Sequence, residues 1–185
     1  CSPADSDTAI VVIREIPEPP LALSDSSYCE GVAVADISAS GTGITWYSNG
    51  GLSTPIGSGN NLGISPAIGP NYYYATQMID GCESSADSIL ITIYPLPNAG
   101  FATYPEIAPI TNSGITFTDN SSFDVTSWVW YFGEGDTLDT VIGNGSSVFY
   151  QYNDTGTYPV YLYVENEYGC ADYFLDEVTI TNEYI

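Results

Sequence analysis

The beginning of the chain is repeated in its middle, and this repetition constrains the fold more than any other feature. The apolar run Ala9–Ile13 follows Cys1 and an acidic turn, and the run Ile89–Ile93 follows Cys82 and a similar turn. A third, looser copy covers residues 170–180. Each copy is a turn followed by a β-branched run of strand length. We therefore predict that each copy is the last strand of a small β domain, and that such domains follow one another in series.

The charge balance excludes most catalytic chemistry. The 185 residues include 23 acids and one base, Arg14, for a formal charge of −22, and they include no histidine and no lysine. Nucleophile pairs that use histidine, imidazole metal sites and lysine Schiff bases are therefore excluded. Nucleic acid and anionic membranes need cationic contacts, so neither is an expected partner. We predict that the chain is not an enzyme.

Neither a membrane span nor a signal peptide is expected in this segment. The chain contains no apolar run of about 20 residues, and no basic region precedes a shorter apolar run. We expect no membrane insertion, and we expect any export signals to lie outside this segment.

Short alternating runs rich in Val, Ile, Thr, Tyr and Trp predict an all-β chain. Turn residues separate these runs at a spacing typical of β-sandwiches. Prolines near residues 17–20 and 95–97 indicate stiff joints between domains. The prediction is a terminal strand of a preceding repeat at 1–14, one sandwich at 15–95 and a second sandwich at 96–185.

The first predicted sandwich resembles the Ig-like repeats of giant surface adhesins from gliding bacteria that use type IX secretion. The resemblance rests on its YC-x-G, TWY and GC-E elements, the second of which contains Trp46. It implies a disulfide between Cys29 and Cys82; the alternative is two buried free thiols in a cytosolic protein. Cys1 would then lack its partner, and Cys170 would be either a free thiol or bonded to something outside this segment.

The second predicted sandwich resembles the PKD (polycystic-kidney-disease-type) domain. A W-x-F-G-E-G segment is followed by Y-x-Y-x-x-x-G-x-Y-x-V-x-L-x-V-x-N, close to the family pattern. Glu134 replaces the usual aspartate and Tyr150 replaces the usual histidine. The matching positions are Trp130, Phe132, Tyr152, Gly156, Tyr158, Val160, Leu162, Val164 and Asn166.

The sequence contains two kinds of candidate site, one for calcium and one for glycosylation. Glu134, Asp136 and Asp139 crowd one predicted loop and form a candidate calcium site, although no EF-hand loop is present and acidic loops are usually only solvated. No other cofactor is expected. The resemblance to the bacterial repeats also implies O-glycosylation at Asp-Ser/Thr-apolar triplets, and the candidate residues are Thr8, Ser88, Thr137 and Thr140.

The triplet Asp154-Thr155-Gly156 spells the aspartic-protease motif, but turn chemistry explains it more simply. Asp favours turns and Gly supplies unusual φ angles, and the triplet lies on the turn of the PKD pattern.

One outer face of the second sandwich is expected to be aromatic. If Trp130 and Leu162 point inward, strand alternation turns their neighbours outward. We predict that these neighbours form one exposed stripe and hypothesise that it contacts another domain or chain; the alternative is ordinary cross-strand pairing. The stripe comprises Val129, Tyr131, Tyr161 and Tyr163.

The sequence favours a structural repeat segment of a large extracellular or cell-surface filament or adhesin, which provides length and stiffness. Its expected partners are neighbouring repeats of the same polypeptide, with a homo-oligomeric filament as a further hypothesis. The alternative is a carbohydrate- or surface-binding accessory module of a secreted protein.

Overall fold

The computed structural model describes residues 14–22, 24–122, 124–134, 141–143 and 147–182, with the backbone alone at 141–143. These residues divide into two compact units. The first holds Val32–Ile93 and the described residues before Cys29, and the second holds Cys29–Gly31 and the described residues from Tyr94 onward. The strand predicted within residues 1–14 lies outside the described residues, apart from Arg14. No helix in the described ranges is long and apolar enough to cross a membrane.

The described part of the first unit contains ten strands in three sheets. In chain order they are β1 (Leu21–Ala22), β2 (Ser26–Cys29), β3 (Ile37–Ser40), β4 (Thr45–Tyr47), β5 (Pro55–Ser58), β6 (Asn61–Leu62), β7 (Gly69–Thr76), β8 (Met78–Ile79), β9 (Cys82–Glu83) and β10 (Asp87–Tyr94). A three-stranded sheet has the order β1-β3-β6, and a five-stranded sheet has the order β2-β10-β7-β4-β5. Strands β8 and β9 form a small hairpin.

The core of the first unit lies between these two larger sheets. Trp46 on β4 is fully buried, and its indole N–H donates to the Gly59 carbonyl at 2.8 Å. Alternate residues of β10, including Ile89 and Ile91, are buried against it. This is the period-2 pattern of a strand with one face on a core. Ile44 is buried in the same core as Trp46.

The second unit repeats the arrangement with longer strands. They are β11 (Phe101–Tyr104), β12 (Ile107–Pro109), β13 (Gly114–Asp119), β14 (Val125–Tyr131), β15 (Val141–Gly143), β16 (Ser147–Gln151), β17 (Gly156–Asn166) and β18 (Ala171–Thr181), with a 3₁₀ turn at Ile110–Asn112. One sheet has the order β11-β13-β16 and the other the order β12-β18-β17-β14-β15. The predicted all-β fold with tandem sandwiches is confirmed.

An aromatic cluster fills the second core. Trp130 and Phe132 are buried, and Phe117 of the facing sheet lies 5.0 Å from the Phe132 ring, centroid to centroid. Val160 and Leu162 of β17 are fully buried beside them. Burial of each such side chain contributes about 1.5–3 kcal/mol relative to exposure. Trp130 and Leu162 thus point inward, which is the condition on which the predicted outer stripe depends.

The predicted disulfide between Cys29 and Cys82 is wrong. Cys29 bonds to Cys170 across a Cα–Cα distance of 5.5 Å, and Cys82 is a half-buried free thiol. The reason is that Cys29, the last residue of β2, and the two residues after it belong to the second unit, where the Glu30 N–H donates to the Tyr94 carbonyl at 2.8 Å. Spatial proximity decides the pairing, and membership of one sequence repeat does not.

Candidate functional site: the tyrosine surface of the second unit

Strands β14 and β17 bring the predicted aromatic stripe together. Tyr131 lies opposite Tyr161, and Val129 lies opposite Tyr163, each pair on the face turned away from the core. The rings of Tyr131 and Tyr161 lie 5.9 Å apart, and Tyr161 and Tyr163 are 39% and 43% exposed. Val129 and Tyr131 are half-buried. The outward orientation is thus as expected, and a contact made by this stripe stays a prediction.

The stripe continues onto β18, which the sequence reasoning missed. Leu175 lies opposite Tyr161, and Tyr173 lies opposite Tyr163. Both are well exposed, at 50% and 68%. We use the term tyrosine surface for this set of six side chains: Val129, Tyr131, Tyr161, Tyr163, Tyr173 and Leu175. The alternation of apolar residues in β17 could have been extended to β18 from the sequence, but the pairing register was needed to align the two strands.

The first unit carries a tyrosine pair at the equivalent place. Tyr47 follows the core Trp46 and lies opposite Tyr74 on β7, just as Tyr131 follows Trp130 and lies opposite Tyr161. Sequence reasoning missed this pair, although the Trp-Tyr dipeptide occurs in both units and would have indicated it.

The hydroxyl of Tyr47 is tied down by a carboxylate. It donates to Glu83 Oε1 at 3.0 Å, and the hydroxyl of Thr76 donates to the same oxygen at 2.8 Å. Partial burial raises the pKa of Tyr47, and its hydrogen bond to Glu83 raises that pKa further. The neutral phenol is therefore favoured at this position.

The candidate calcium loop is only partly within the described residues. Asp136 and Asp139 lie outside them. Glu134 accepts hydrogen bonds from the Tyr150 hydroxyl at 2.9 Å and from the Asn153 N–H at 3.0 Å, so this carboxylate serves the adjacent turn. Among the described residues, no group of three or more His, Cys, Asp or Glu side chains could hold a metal ion.

Asp154 takes part in a turn contact of the kind called a tyrosine corner. The hydroxyl of Tyr158, near the start of β17, donates to the Asp154 carbonyl at 2.9 Å. Desolvation raises the pKa of Tyr158, and the negative charges of Glu134 and Asp154 raise it further. The geometry gives the Asp-Thr-Gly triplet a structural role.

The turn before β18 positions the disulfide. The Asn166 side-chain oxygen accepts the N–H groups of Tyr168 and Cys170, each at 3.1 Å. Asp124 lies close to the Asn166 amide, and a hydrogen bond from the Ser122 hydroxyl lowers the pKa of Asp124. The asparagine of the PKD pattern therefore holds Cys170 in place for Cys29.

Of the four candidate glycosylation residues, only Ser88 lies within the described part of the chain. It is exposed on β10, where its neighbour across the sheet is Tyr74. Thr8, Thr137 and Thr140 lie outside that part. Glycosylation at all four stays a prediction.

Comparisons with known proteins point to the same family as the sequence pattern. The PKD domain family matches residues 95–181. The PKD1 domain of the Vibrio cholerae metalloprotease PrtV is 24% identical with a TM-score of 0.39, over 46% of this chain and 98% of that domain. The PKD1 domain of Vibrio anguillarum Epp is 19% identical with a TM-score of 0.39, over 48% of this chain and 96% of that domain.

A third solved structure comes from work on the promiscuous specificity of carbohydrate-binding modules of the β-sandwich superfamily. It is 29% identical with a TM-score of 0.42, over 46% of this chain and 34% of that chain, so the match spans about a third of its length. No curated protein matches the sequence. The family match supports a PKD-type repeat at residues 95–181 of this all-β chain.

Proposed function

We propose that this chain is a structural repeat segment of a large extracellular or cell-surface filament or adhesin, in which it provides length and stiffness. The observation that carries the proposal is that each unit has two larger sheets and a core of its own between them, with Trp46 in one core and Trp130 in the other. Units that close around their own cores can be added in series without rearranging their neighbours.

The chemistry of the chain supports an extracellular setting. The Cys29–Cys170 disulfide is of a kind that persists in oxidising compartments. The formal charge of −22 keeps a protein soluble and disfavours nucleic acid and anionic membranes as partners. Pro95 and Pro97, in the segment between β10 and β11, limit the backbone freedom of that segment.

Immunogold electron microscopy of cells that produce the protein tests this proposal. We expect an antibody raised against the chain to label fibres outside the cell at intervals along their length, and brief protease treatment of intact cells to remove the label. Label confined to the cytoplasm would contradict the extracellular assignment. Label restricted to fibre tips would contradict the proposal that the chain provides length and stiffness along the fibre.

The aromatic pairs on both units favour carbohydrate binding as a second candidate function. Tyr131 and Tyr161 lie opposite one another with their rings 5.9 Å apart, and Tyr47 lies opposite Tyr74 in the register of the first unit. Aromatic side chains with an apolar face and a polar hydroxyl are suited to contacts that are partly wet.

Retention on insoluble chitin or cellulose tests the second candidate. We expect both matrices to retain the chain. If the second unit dominates binding, the Tyr131→Ser/Tyr161→Ser variant is retained less than the Tyr47→Ser/Tyr74→Ser variant. Passage of the unmodified chain through both matrices without delay would refute this candidate. Thermal unfolding of each variant shows whether the fold is intact.

A further inference from the structure

Strand β18 has one edge that is largely unpaired. On one side it pairs with β17 along nearly its whole length, from Ala171 to Ile180. On the other side it pairs with β12 only at Thr179–Thr181. Within the described ranges, residues 173–177 therefore have no strand beside them on that side.

The direction of the backbone groups follows from the register. The Thr179 N–H donates to the Glu106 carbonyl, so Thr179 faces away from β17. The register with β17 is continuous, and backbone groups alternate sides along a strand. The N–H groups of Glu177, Leu175 and Tyr173 therefore also point to the open edge. Asp176 Oδ1 accepts the Glu177 N–H at 2.9 Å, whereas those of Leu175 and Tyr173 have no acceptor among the described residues.

The first unit closes the equivalent edge with strand β2 and with carboxylates. Ser88 on β10 lies opposite Tyr74, as Leu175 lies opposite Tyr161, so Ser88 and Leu175 are equivalent positions. The Ser88 N–H donates to Asp87 Oδ1 at 2.9 Å, and the Leu90 N–H donates to Asp25 Oδ1 at 2.8 Å. The open edge is thus a property of the second unit and is not shared by both sandwiches.

The open edge is also apolar. Tyr173, Phe174 and Leu175 are 68%, 37% and 50% exposed. Proteins normally protect a sheet edge with charged side chains, especially lysine, or with proline, a bulge or a covering segment, because an exposed apolar edge pairs with other chains. None of the five residues 173–177 is lysine or proline, and β18 pairs with β17 without a bulge. Two acids, Asp176 and Glu177, follow the apolar residues and are exposed.

We propose that the open edge of β18 binds an extended polypeptide segment by strand addition. The segment places apolar residues beside Tyr173 and Leu175, extending the tyrosine surface, and a lysine or arginine beside Asp176 on the other face of the strand. Main-chain hydrogen bonds to an exposed edge provide affinity in this mode, and the neighbouring side chains provide specificity. Charge identifies the partner as cationic, because a second copy would bring another formal charge of −22 and like carboxylates against the same edge.

Amide hydrogen exchange, followed by NMR on the intact oxidised chain, tests the proposal directly. The probe is a synthetic nonapeptide of alternating valine and lysine with blocked ends. We expect the Tyr173 and Leu175 amides to exchange rapidly in the free chain and to slow by about tenfold or more with saturating peptide. The control is the same peptide N-methylated throughout, which keeps the charge but cannot donate backbone hydrogen bonds, and we expect it to bind at least tenfold more weakly.

Two substitutions locate the site. Leu175→Pro removes an N–H that faces the open edge and spares the ladder to β17, so we expect peptide affinity to fall by about tenfold or more. Ser88→Pro at the equivalent position of the first unit should leave affinity unchanged. Slow exchange of the Leu162 amide shows that the sheet is intact. If the proline variant loses this slow exchange, Leu175→Lys replaces it, because lysine keeps the backbone N–H but repels the cationic peptide.

Three results would overturn the proposal. The first is protection of the Tyr173 and Leu175 amides in the free chain equal to that of Leu162. The second is equal binding of the two peptides, which would reduce the effect to charge alone. The third is protection that rises with chain concentration in the absence of peptide, which would make a second copy the occupant.

Discussion

Loss of the Cys29–Cys170 disulfide should strongly destabilise this chain. The two cysteines are separated by 141 residues. In the chain-entropy treatment, a closed loop of that size lowers the entropy of the unfolded chain by an amount equivalent to about 5 kcal/mol at 25 °C. If the first unit stays folded while the second unfolds, the tethered loop is shorter and the figure falls to about 4.5 kcal/mol. We therefore expect Cys170→Ser to cost between about 4 and 5 kcal/mol.

The assay is urea unfolding of the oxidised chain, followed by tryptophan fluorescence. Trp46 reports on the first core and Trp130 on the second, since both are buried. All measurements use a Cys1→Ser background to prevent bonding between chains. Two transitions are fitted where the units unfold separately.

A set of single and double variants distinguishes the effect of losing the disulfide on stability from the effect of changing the cysteine side chains. Cys29→Ser, Cys170→Ser and the double variant should lose the same stability to within about 1 kcal/mol, because all three remove one shared bond. Reduction of the unsubstituted chain should give a similar loss. Cys82→Ser should change stability by less than about 0.5 kcal/mol, because its thiol is unpaired in the described structure.

One pattern of results would refute the reasoning. If Cys82→Ser costs as much as Cys29→Ser while Cys170→Ser costs little, the bond joins Cys29 to Cys82. Peptide mapping under non-reducing conditions would then recover those two cysteines in one fragment. The structure predicts a fragment that contains Cys29 and Cys170.

Three further predictions concern local strain, acid and salt. Gly133→Ala should lower the free energy of unfolding by about 2–4 kcal/mol in urea, since φ is +84° and the added Cβ would lie 2.6 Å from the Pro159 carbonyl oxygen. The control is Gly169→Ala, where φ is +77° and the added Cβ would have no contact closer than 3.9 Å, and it should cost only about 1 kcal/mol. The Asp124→Asn variant should be less stable than the unsubstituted chain at neutral pH, and the difference should shrink as the pH falls below 3.8. The reason is that the hydrogen bond from Ser122 lowers the pKa of Asp124, and the stability that the ionised carboxylate contributes is lost when it is protonated. A difference in stability that stays constant through the acid titration would contradict this. Raising NaCl from 0.02 to about 0.5 M should raise the unfolding midpoint, because salt screens a net charge of −22; a flat midpoint would contradict it.

Local patterning carried the prediction of the fold. Alternation in Trp128–Phe132 and Val160–Val164 places one set of residues in the core, and the structure buries Trp130, Phe132 and Leu162 accordingly. Such alternation is a short-range property of a strand, so the sequence by itself contains it. The same alternation correctly turned Tyr131 and Tyr161 outward.

Pairing between distant residues could not be derived in that way. The partner of Cys29 depends on residues 29–31 joining the second unit, and the open edge of β18 depends on β12 covering only Thr179–Thr181. The extension of the tyrosine surface to Tyr173 depends on the register between β17 and β18. Each of these features is a relation between segments that lie far apart in the chain. Repeated motifs and local alternation in the sequence determined which strand faces are buried. Only the tertiary structure decided which distant residues contact one another, because local patterns contain no information on strand pairing.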